Sequence, residues 1–191
     1  MSVLYIRGGK RCLDCFLALV SLVALSPMLL VIALLVRRED GGRVIFRQRR
    51  LGRHQLPFAL LKFRSMRENV GDLPSSQASA LPITRIGRLL RRTNLDELPQ
   101  LVNILRGEMS IVGPRPALPT QTELIALRDE QGTFEVRPGL TGLAQVSSYD
   151  GMPATEKAMH DADYARAISL MNDLKIIWRT FGYLRRPPPV Y

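Results

Sequence analysis

Residues 12–36 read CLDCFLALVSLVALSPMLLVIALLV, and how they meet a membrane decides the fold. Asp14 is the one formal charge among them. As a straight helix the stretch reaches about 37 Å, enough for a bilayer core of ~30 Å. A transmembrane span is the plain reading. A cleaved signal peptide fits less well, because the run ends in RRED with no small-x-small site. Two features oppose a simple span. Both flanks are basic, with Arg7, Lys10 and Arg11 before and Arg37 and Arg38 after, and positive charge holds a flank on the cytoplasmic side. Ser26-Pro27 also interrupts the run. Pro27 offers no N–H to the Val23 carbonyl and crowds it, and the Ser26 hydroxyl is expected to bond back to the Leu22 carbonyl. The halves, 12–25 and 28–36, measure about 21 and 13 Å, and neither crosses the core alone. A helix that enters, bends at Ser26-Pro27 and leaves by the same face satisfies both flanks. Prolines also occur in spanning helices, so the segment by itself admits both geometries. Asp14 lies one turn after Lys10 and beside Arg11, and is expected to pair with them at the interface.

The whole chain has 191 residues, room for one domain with a core. Its 27 Lys and Arg against 17 Asp and Glu give a formal charge of +10, which favours nucleic acid, anionic lipid or phosphorylated small molecules as partners. Aromatics make up 6%, so single-strand stacking platforms are not evident, and no helix-turn-helix or zinc spacing supports a nucleic-acid reader. Two cysteines and two histidines are too few for a disulfide scaffold or a Cys/His zinc site. Cys12 and Cys15 have redox spacing without the βαβ context that gives it meaning, and read as small apolar fillers.

Beyond the apolar run, residues 44–48 and 58–64 read as short strands. Residues 68–82, polar with two prolines, read as a loop. TRIGRLLRRT puts Ile86, Leu89 and Leu90 on one side and Arg85, Arg88, Arg91 and Arg92 around the other, a basic amphipathic helix suited to a membrane surface. Leu95, Leu98, Leu101, Val102 and Leu105 keep a helical period. MSIVGPRP reads as strand then turn, LPTQTELIALRDEQ as a surface helix, FEVRPGLTGLAQVSS as strand, glycine turns, strand, and 153–184 as one or two helices. No repeat or interdomain linker is evident. The expected class is α/β (α+β, helix-rich): a membrane anchor over 1–38, a compact cytoplasmic domain over 39–184 with amphipathic interfacial helices and a few short strands, and a tail over 185–191.

Within RRTNLDELPQLVNIL, residues 91–105, two acids, Asp96 and Glu97, follow a cluster of arginines. Pro99 suits a first helical turn, and Asn94 with Glu97 makes a capping-box pattern. Acids are favoured in first turns for that reason alone. Their company says more. Arg91 lies one turn before Asp96, KFRSM supplies Lys62 and Arg64, and Arg115 and Arg137 are set among prolines and glycines in GPRP and VRPG. Together these residues suggest a site that grips phosphates and presents a carboxylate to one of them, as nucleophile or Mg²⁺ ligand.

RVIFRQRRLG, FALLKFRSM, RRTNLDELPQLVNILRGEMSIVGPRP, RPGLTGLAQV and NDLKII, in this order after an apolar segment carrying Ser-Pro, resemble the bacterial sugar transferase family, and more narrowly its small monotopic phosphoglycosyl transferases. The resemblance implies transfer of a phosphosugar, N-acetylated as the first expectation, from a UDP-sugar to undecaprenyl phosphate, with release of UMP. That is the initiating membrane step of glycoconjugate synthesis. It implies Asp96 as nucleophile, Glu97 and Asp96 as Mg²⁺ ligands, and Lys62, Arg64, Arg91, Arg115, Arg137 and Gln145 as substrate-binding residues. It also implies a re-entrant helix bent at Ser26-Pro27 in the inner membrane, with the domain on the cytoplasmic face and room for a homo-oligomer. Leu143 and Ser147-Ser148-Tyr149 depart from the family's pattern near the donor. Asp161 and Asp173 match acidic positions, for which pairing with nearby bases is expected. The competing class is a membrane-anchored, non-catalytic adaptor with a basic lipid-binding face.

Overall fold

The computed structural model describes residues 4–66, 83–147 and 151–185. The loop expected over 68–82, the departure at Ser148-Tyr149 and the tail beyond residue 185 lie outside the described residues.

A π-helical turn, Tyr5–Gly9, runs into α1 (Lys10–Asp40). Gly41, in a left-handed conformation at φ 72°, ends the helix as its N–H closes on the Arg37 carbonyl. The hydrogen-bonded helix continues through Pro27 rather than stopping there. The acceptor that Pro27 leaves open is the Val23 carbonyl, and the Ser26 hydroxyl donates to it at 2.8 Å. The expected bond to Leu22 therefore moves one residue on, to the carbonyl that has lost its donor.

Both ends of α1 are tied to one folded body. At the start, Lys10 bonds Asp173 at 2.6 Å, and Arg11 donates to the Ile104 and Leu105 carbonyls. Asp14 accepts from the Ser110 hydroxyl at 2.8 Å and the Ile111 N–H at 2.9 Å. The expected pairing of Asp14 with Lys10 and Arg11 gives way because each finds a partner in the domain. At the far end, Ile32 and Val36 pack with Phe63 and Leu90, and Glu39 accepts from the Arg85 N–H at 2.6 Å. Between these anchors Phe16, Leu19, Val20, Val23, Leu30 and Val31 are exposed. Asp14→Ala strands the Ser110 and Ile111 donors; the loss, about 3 kcal/mol, is expected as a lower melting temperature.

β1 (Ile45–Leu51) and β2 (Pro57–Phe63) form an antiparallel hairpin with Gln48 opposite Leu60. Its tip, Arg53–Gln55, holds His54 and Gln55 at positive φ, and Gln55 is pinned to Asp129 at 2.6 Å. α2 (Arg85–Thr93) and, after a 3-10 turn at Leu95–Glu97, α3 (Gln100–Arg106) follow. Buried Asn103 bolts α3 to β2, accepting from the Leu61 N–H and donating to the Ala59 carbonyl. β3 (Ser110–Val112) pairs in parallel with β4 (Gly139–Thr141) across the crossover carrying α4 (Thr122–Glu130). Then come α5 (Leu143–Ser147), α6 (Ala154–Arg166) and α7 (Leu170–Leu184). The fold is helix-rich α/β, as expected. One local reading fails: residues 133–135 form a 3-10 turn and LAQVS a helical turn, where strands were expected. β4 already supplies the pairing β3 needs, leaving LAQVS to pack Leu143 and Val146 on Tyr164 and Ile176.

Candidate active site

The carboxylate pair sits on the 3-10 turn between α2 and α3. Asn94, at φ 54°, makes the left-handed corner that ends α2 and makes no side-chain cap. The expected capping box is therefore absent, and Glu97 turns elsewhere. Its Oε1 accepts from Lys62 Nζ at 2.8 Å and Arg115 Nη2 at 2.7 Å. Lys62 arrives from β2, fixed by the hairpin and Asn103. Arg115 arrives from the proline-bracketed turn after β3. Burial alone raises the Glu97 carboxyl, but Arg115 and Lys62 outweigh it and hold the group well below the usual carboxylate range.

Asp96 has the opposite fate. It is 8% exposed, and among the described residues none donates a hydrogen bond to it. Burial pushes its carboxyl up and the neighbouring Glu97 charge adds to this, against Lys62, Arg91 and Arg115, leaving it at about 6. Two adjacent acids thus differ sharply: one is clamped by two cations, the other has no hydrogen-bonded partner and is pushed up to about 6. Perturbed, desolvated acids cluster at reactive sites, though structural ion pairs such as Asp161 with Arg128 are perturbed as well.

Arg91 is placed by α2. Gly87 lets that helix close on the Ser65 backbone, where a β-carbon would overlap the Ser65 carbonyl. Arg91 Nε then donates to Ser65 Oγ at 2.9 Å. Of the residues expected in the site, the fold therefore gathers Asp96, Glu97, Lys62, Arg91 and Arg115. Three others have partners away from the two carboxylate groups. Arg64 is buried against Gly42, just beyond α1. Arg137 donates from Nε to the Gly107 carbonyl at 2.9 Å, at the far end of α3 from Asp96. Gln145 donates to the Leu140 carbonyl in the β4–α5 turn.

Sequence reasoning missed Arg128. It is 2% exposed, pairs with Asp161 and donates to the Arg115 main-chain carbonyl at 2.9 Å. Arg115 is thereby held from behind by a buried ion pair. Nothing in the surface-helix pattern of α4 announces this; the only local signal is an arginine following ELIAL on the stripe that begins with buried Leu124. Asp161 and Asp173 pair with bases as expected, Asp161 with Arg128 and Asp173 with Lys10. Asp173 also accepts from the Tyr5 and Tyr164 hydroxyls.

Among the described residues no cluster of three or more His, Cys, Asp and Glu forms a metal cage. The Asp96–Glu97 pair is a donor set of another kind. Two carboxylates, one with no hydrogen-bonding partner, suit a hard cation such as Mg²⁺ that completes its shell with water and substrate phosphate.

A sequence model of the family described as bacterial sugar transferase matches residues 5–186. The UDP-glucose:undecaprenyl-phosphate glucose-1-phosphate transferase of Caulobacter vibrioides is 42% identical over 180 residues, 90% of this chain and 67% of that protein. The exopolysaccharide production protein ExoY of Sinorhizobium fredii is 39% identical over 194 residues, 91% of this chain and 84% of that protein. The UDP-galactose-lipid carrier transferase of Erwinia amylovora is 37% identical over 202 residues, 97% of this chain but 42% of that larger protein.

Proposed function

The chain belongs to the bacterial sugar transferase family, and we propose that it moves a phosphosugar from a UDP-sugar to undecaprenyl phosphate. UMP and undecaprenyl-diphosphate-sugar are the products. The observation that carries this reading is the unequal acid pair, an Asp96 with no hydrogen-bonded partner beside a Glu97 locked to Lys62 and Arg115. The names of the relatives, which print UDP-sugars and an undecaprenyl-phosphate acceptor, support it.

In the proposed reaction an Asp96 oxygen attacks the β-phosphorus of the donor. The bond from that phosphorus to the bridging oxygen breaks, and the oxygen leaves as UMP with the bonding electrons. Asp96 then carries the phosphosugar. An oxygen of the acceptor phosphate attacks the same phosphorus and frees the Asp96 carboxylate. Every participant is anionic, so Arg91, Lys62 and Arg115 offset repulsion and bind the charge that develops on the phosphoryl oxygens. Asp96 and Glu97 would hold Mg²⁺, which when bound supplies further charge neutralisation at the diphosphate. Lys62 and Arg115, by holding Glu97, keep the turn that aims Asp96 in one conformation.

The same reading puts α1 in the inner membrane as a re-entrant helix with the domain on the cytoplasmic face. Support comes from both ends of α1 being held by one domain: a helix of 31 residues, about 46 Å long if straight, would carry one end across the bilayer. α2 turns exposed Leu89 outward among Arg85, Arg88 and Arg92, and α7 exposes Met171, Leu174, Trp178 and Phe181 along one stripe. Such faces suit the headgroup region. In a Cys12→Ala, Cys15→Ala background, cysteines placed at Gly8 and at Arg38 are expected to react with a membrane-impermeant reagent only from the cytoplasmic side. Periplasmic labelling of either one contradicts the topology.

The functional test is UMP release across a donor panel, with undecaprenyl phosphate and Mg²⁺. The relatives' names print glucose and galactose, and give no support to the N-acetylated donor expected from resemblance. UDP-glucose is therefore the first donor to assay, with UDP-galactose and N-acetylated UDP-sugars as parallel arms. No UMP from any donor would remove the transferase reading. The adaptor reading has no use for a buried acid held near neutrality; it predicts that reversing Arg88 and Arg92 matters more than losing Asp96.

A further inference from the structure

β1 turns polar side chains inward. Its sequence is IFRQRRL, with Arg47 and Arg49 exposed and Gln48 and Arg50 buried. Residues two apart on a strand share a face, so the inward face carries a glutamine and an arginine where apolar residues are the rule. The two are bonded to each other. Arg50 donates to Gln48 Oε1 from Nε at 3.1 Å and from Nη2 at 2.6 Å. Its Nη1 points to the turn after β3 and donates to the Pro116 carbonyl at 2.9 Å. The proposed chemistry uses neither residue. The turn that Arg50 reaches carries Arg115. Four consecutive carbonyls there, 114 to 117, are each taken by a donor from another element: Pro114 by the Gly139 N–H, Arg115 by Arg128, Pro116 by Arg50 and Ala117 by the Leu51 N–H. Pro114 and Pro116 fix their own φ, and Pro116 also restricts Arg115. The Arg115 side chain, by contrast, is 41% exposed. Packing holds little of it, so beyond its bond to Glu97 its direction is set by the main chain.

We propose that Arg50, oriented by Gln48, is a positioning residue for the transfer reaction: it holds the Pro116 carbonyl so that Arg115 meets the donor diphosphate in one geometry. All three nitrogens of Arg50 are committed, two to Gln48 and one to Pro116, so it acts through the turn and not on a phosphate. The planar fork suits this task, because two N–H groups fix the plane on Gln48 while a third reaches the carbonyl. A lysine keeps the charge and loses the fork. The same hairpin carries Lys62, opposite Phe46 in the register. One hairpin thus sets the spacing of the two cations that converge on Glu97 Oε1. It carries Lys62 directly and holds the Arg115 turn through Arg50 and Leu51. Arg128 braces the neighbouring carbonyl from α4, so the turn is held from two sides. The inference rests on reading Arg115 as a donor-phosphate residue.

A double-mutant cycle on kcat/KM for the UDP-sugar tests it, read as UMP release with undecaprenyl phosphate and Mg²⁺. Arg50→Lys is expected to lower kcat/KM about 10- to 100-fold, the scale of misplacing a binding group by about an ångström. Arg49→Lys, at the exposed neighbour on β1, should leave it unchanged. In an Arg115→Ala background Arg50→Lys should cost nothing further, because the group it positions is gone and residues that act as a unit are not additive. A brace that only holds the fold would cost the same factor in both backgrounds. Gln48→Met, which keeps the volume and removes the oxygen, should repeat the pattern, and Gln48→Glu, which keeps an acceptor, should retain activity. Melting curves set an assay temperature at which the variants are folded, and Gln48→Met carries the test if Arg50→Lys unfolds. Wild-type activity in both Arg50→Lys and Gln48→Met, or equal losses with and without Arg115, overturns the proposal and leaves the transferase reading intact. Full activity in Arg115→Ala, or no UMP from wild type with any donor, overturns the reading it rests on and the proposal with it.

Discussion

Asp96→Asn will release UMP from UDP-sugar at least about a thousandfold more slowly than wild type, the usual scale for losing an enzyme's nucleophile, and it will melt at a higher temperature. The second effect follows from burial. The fold holds the Asp96 carboxyl at about 6, above the ordinary carboxylate value, because burial disfavours its charge. A raised native pKa means that ionisation costs the folded state more than the unfolded one. Stability from this group is therefore full below the unfolded value near 4 and is lost as pH rises through about 6. Asparagine carries no such cost. At pH 8 the variant should gain about 2–3 kcal/mol, or roughly 5–10 °C for a chain of this size, and below pH 4 the difference should vanish. A melting series from pH 4 to 8 on both proteins measures it. A variant that is inactive but no more stable at pH 8 would mean that Asp96 is not held above its ordinary range. By the same logic the metal-free wild-type protein should lose stability relative to Asp96→Asn with a midpoint near 6, as the carboxyl ionises.

Arg115→Ala is expected to lower the rate of UMP release by about 100- to 1000-fold, the scale of removing one preorganised donor from a developing oxyanion. Arg115 has two tasks. In the proposed reaction its guanidinium meets a donor phosphate, and in the structure it bonds Glu97 together with Lys62. Losing it leaves Glu97 buried against one cation. Because the native Glu97 carboxyl is depressed, its contribution to stability is present above the unfolded pKa and fades as pH falls. The variant should thus unfold at a higher pH than wild type on acidification, while remaining folded at pH 8. Arg128→Met offers a contrast, since Arg128 touches Arg115 only at the main-chain carbonyl. If Arg115 works through its placement, Arg128→Met paired with Asp161→Leu, so that no buried carboxylate is stranded, will lower turnover without the shift in acid midpoint that loss of the Glu97 ion pair brings. Full activity in Arg115→Ala would remove it from the substrate site.

How much of this was legible beforehand follows the range of the interactions involved. The apolar run, the hairpin strands and the basic helix over 85–93 are set by local period and turn residues, and the sequence read alone finds them. The order of KFRSM, LDELPQ and GPRP made Lys62, Glu97 and Arg115 a plausible constellation, and the fold brings them within hydrogen-bond distance. Arg137 carried the same signature, an arginine beside a proline and a glycine, yet it closes on the Gly107 carbonyl instead. Sequence spacing cannot separate those outcomes, because both depend on how β4 lies against β3. Asp14 shows the same limit. Its neighbours in sequence are bases, but its partners are Ser110 and Ile111, almost a hundred residues away. The Ser26 hydroxyl was misread by one residue for a local reason: proline vacates the carbonyl four positions back, and that acceptor outcompetes the usual one.

The most direct test is the intact mass of the protein incubated with a turned-over UDP-sugar in the absence of any acceptor, followed by peptide mapping. A gain of one sugar phosphate on the peptide containing Asp96, discharged when undecaprenyl phosphate is added and absent from Asp96→Asn, is the predicted result. Turnover that proceeds at the full rate while no sugar phosphate ever appears on that peptide would contradict the account.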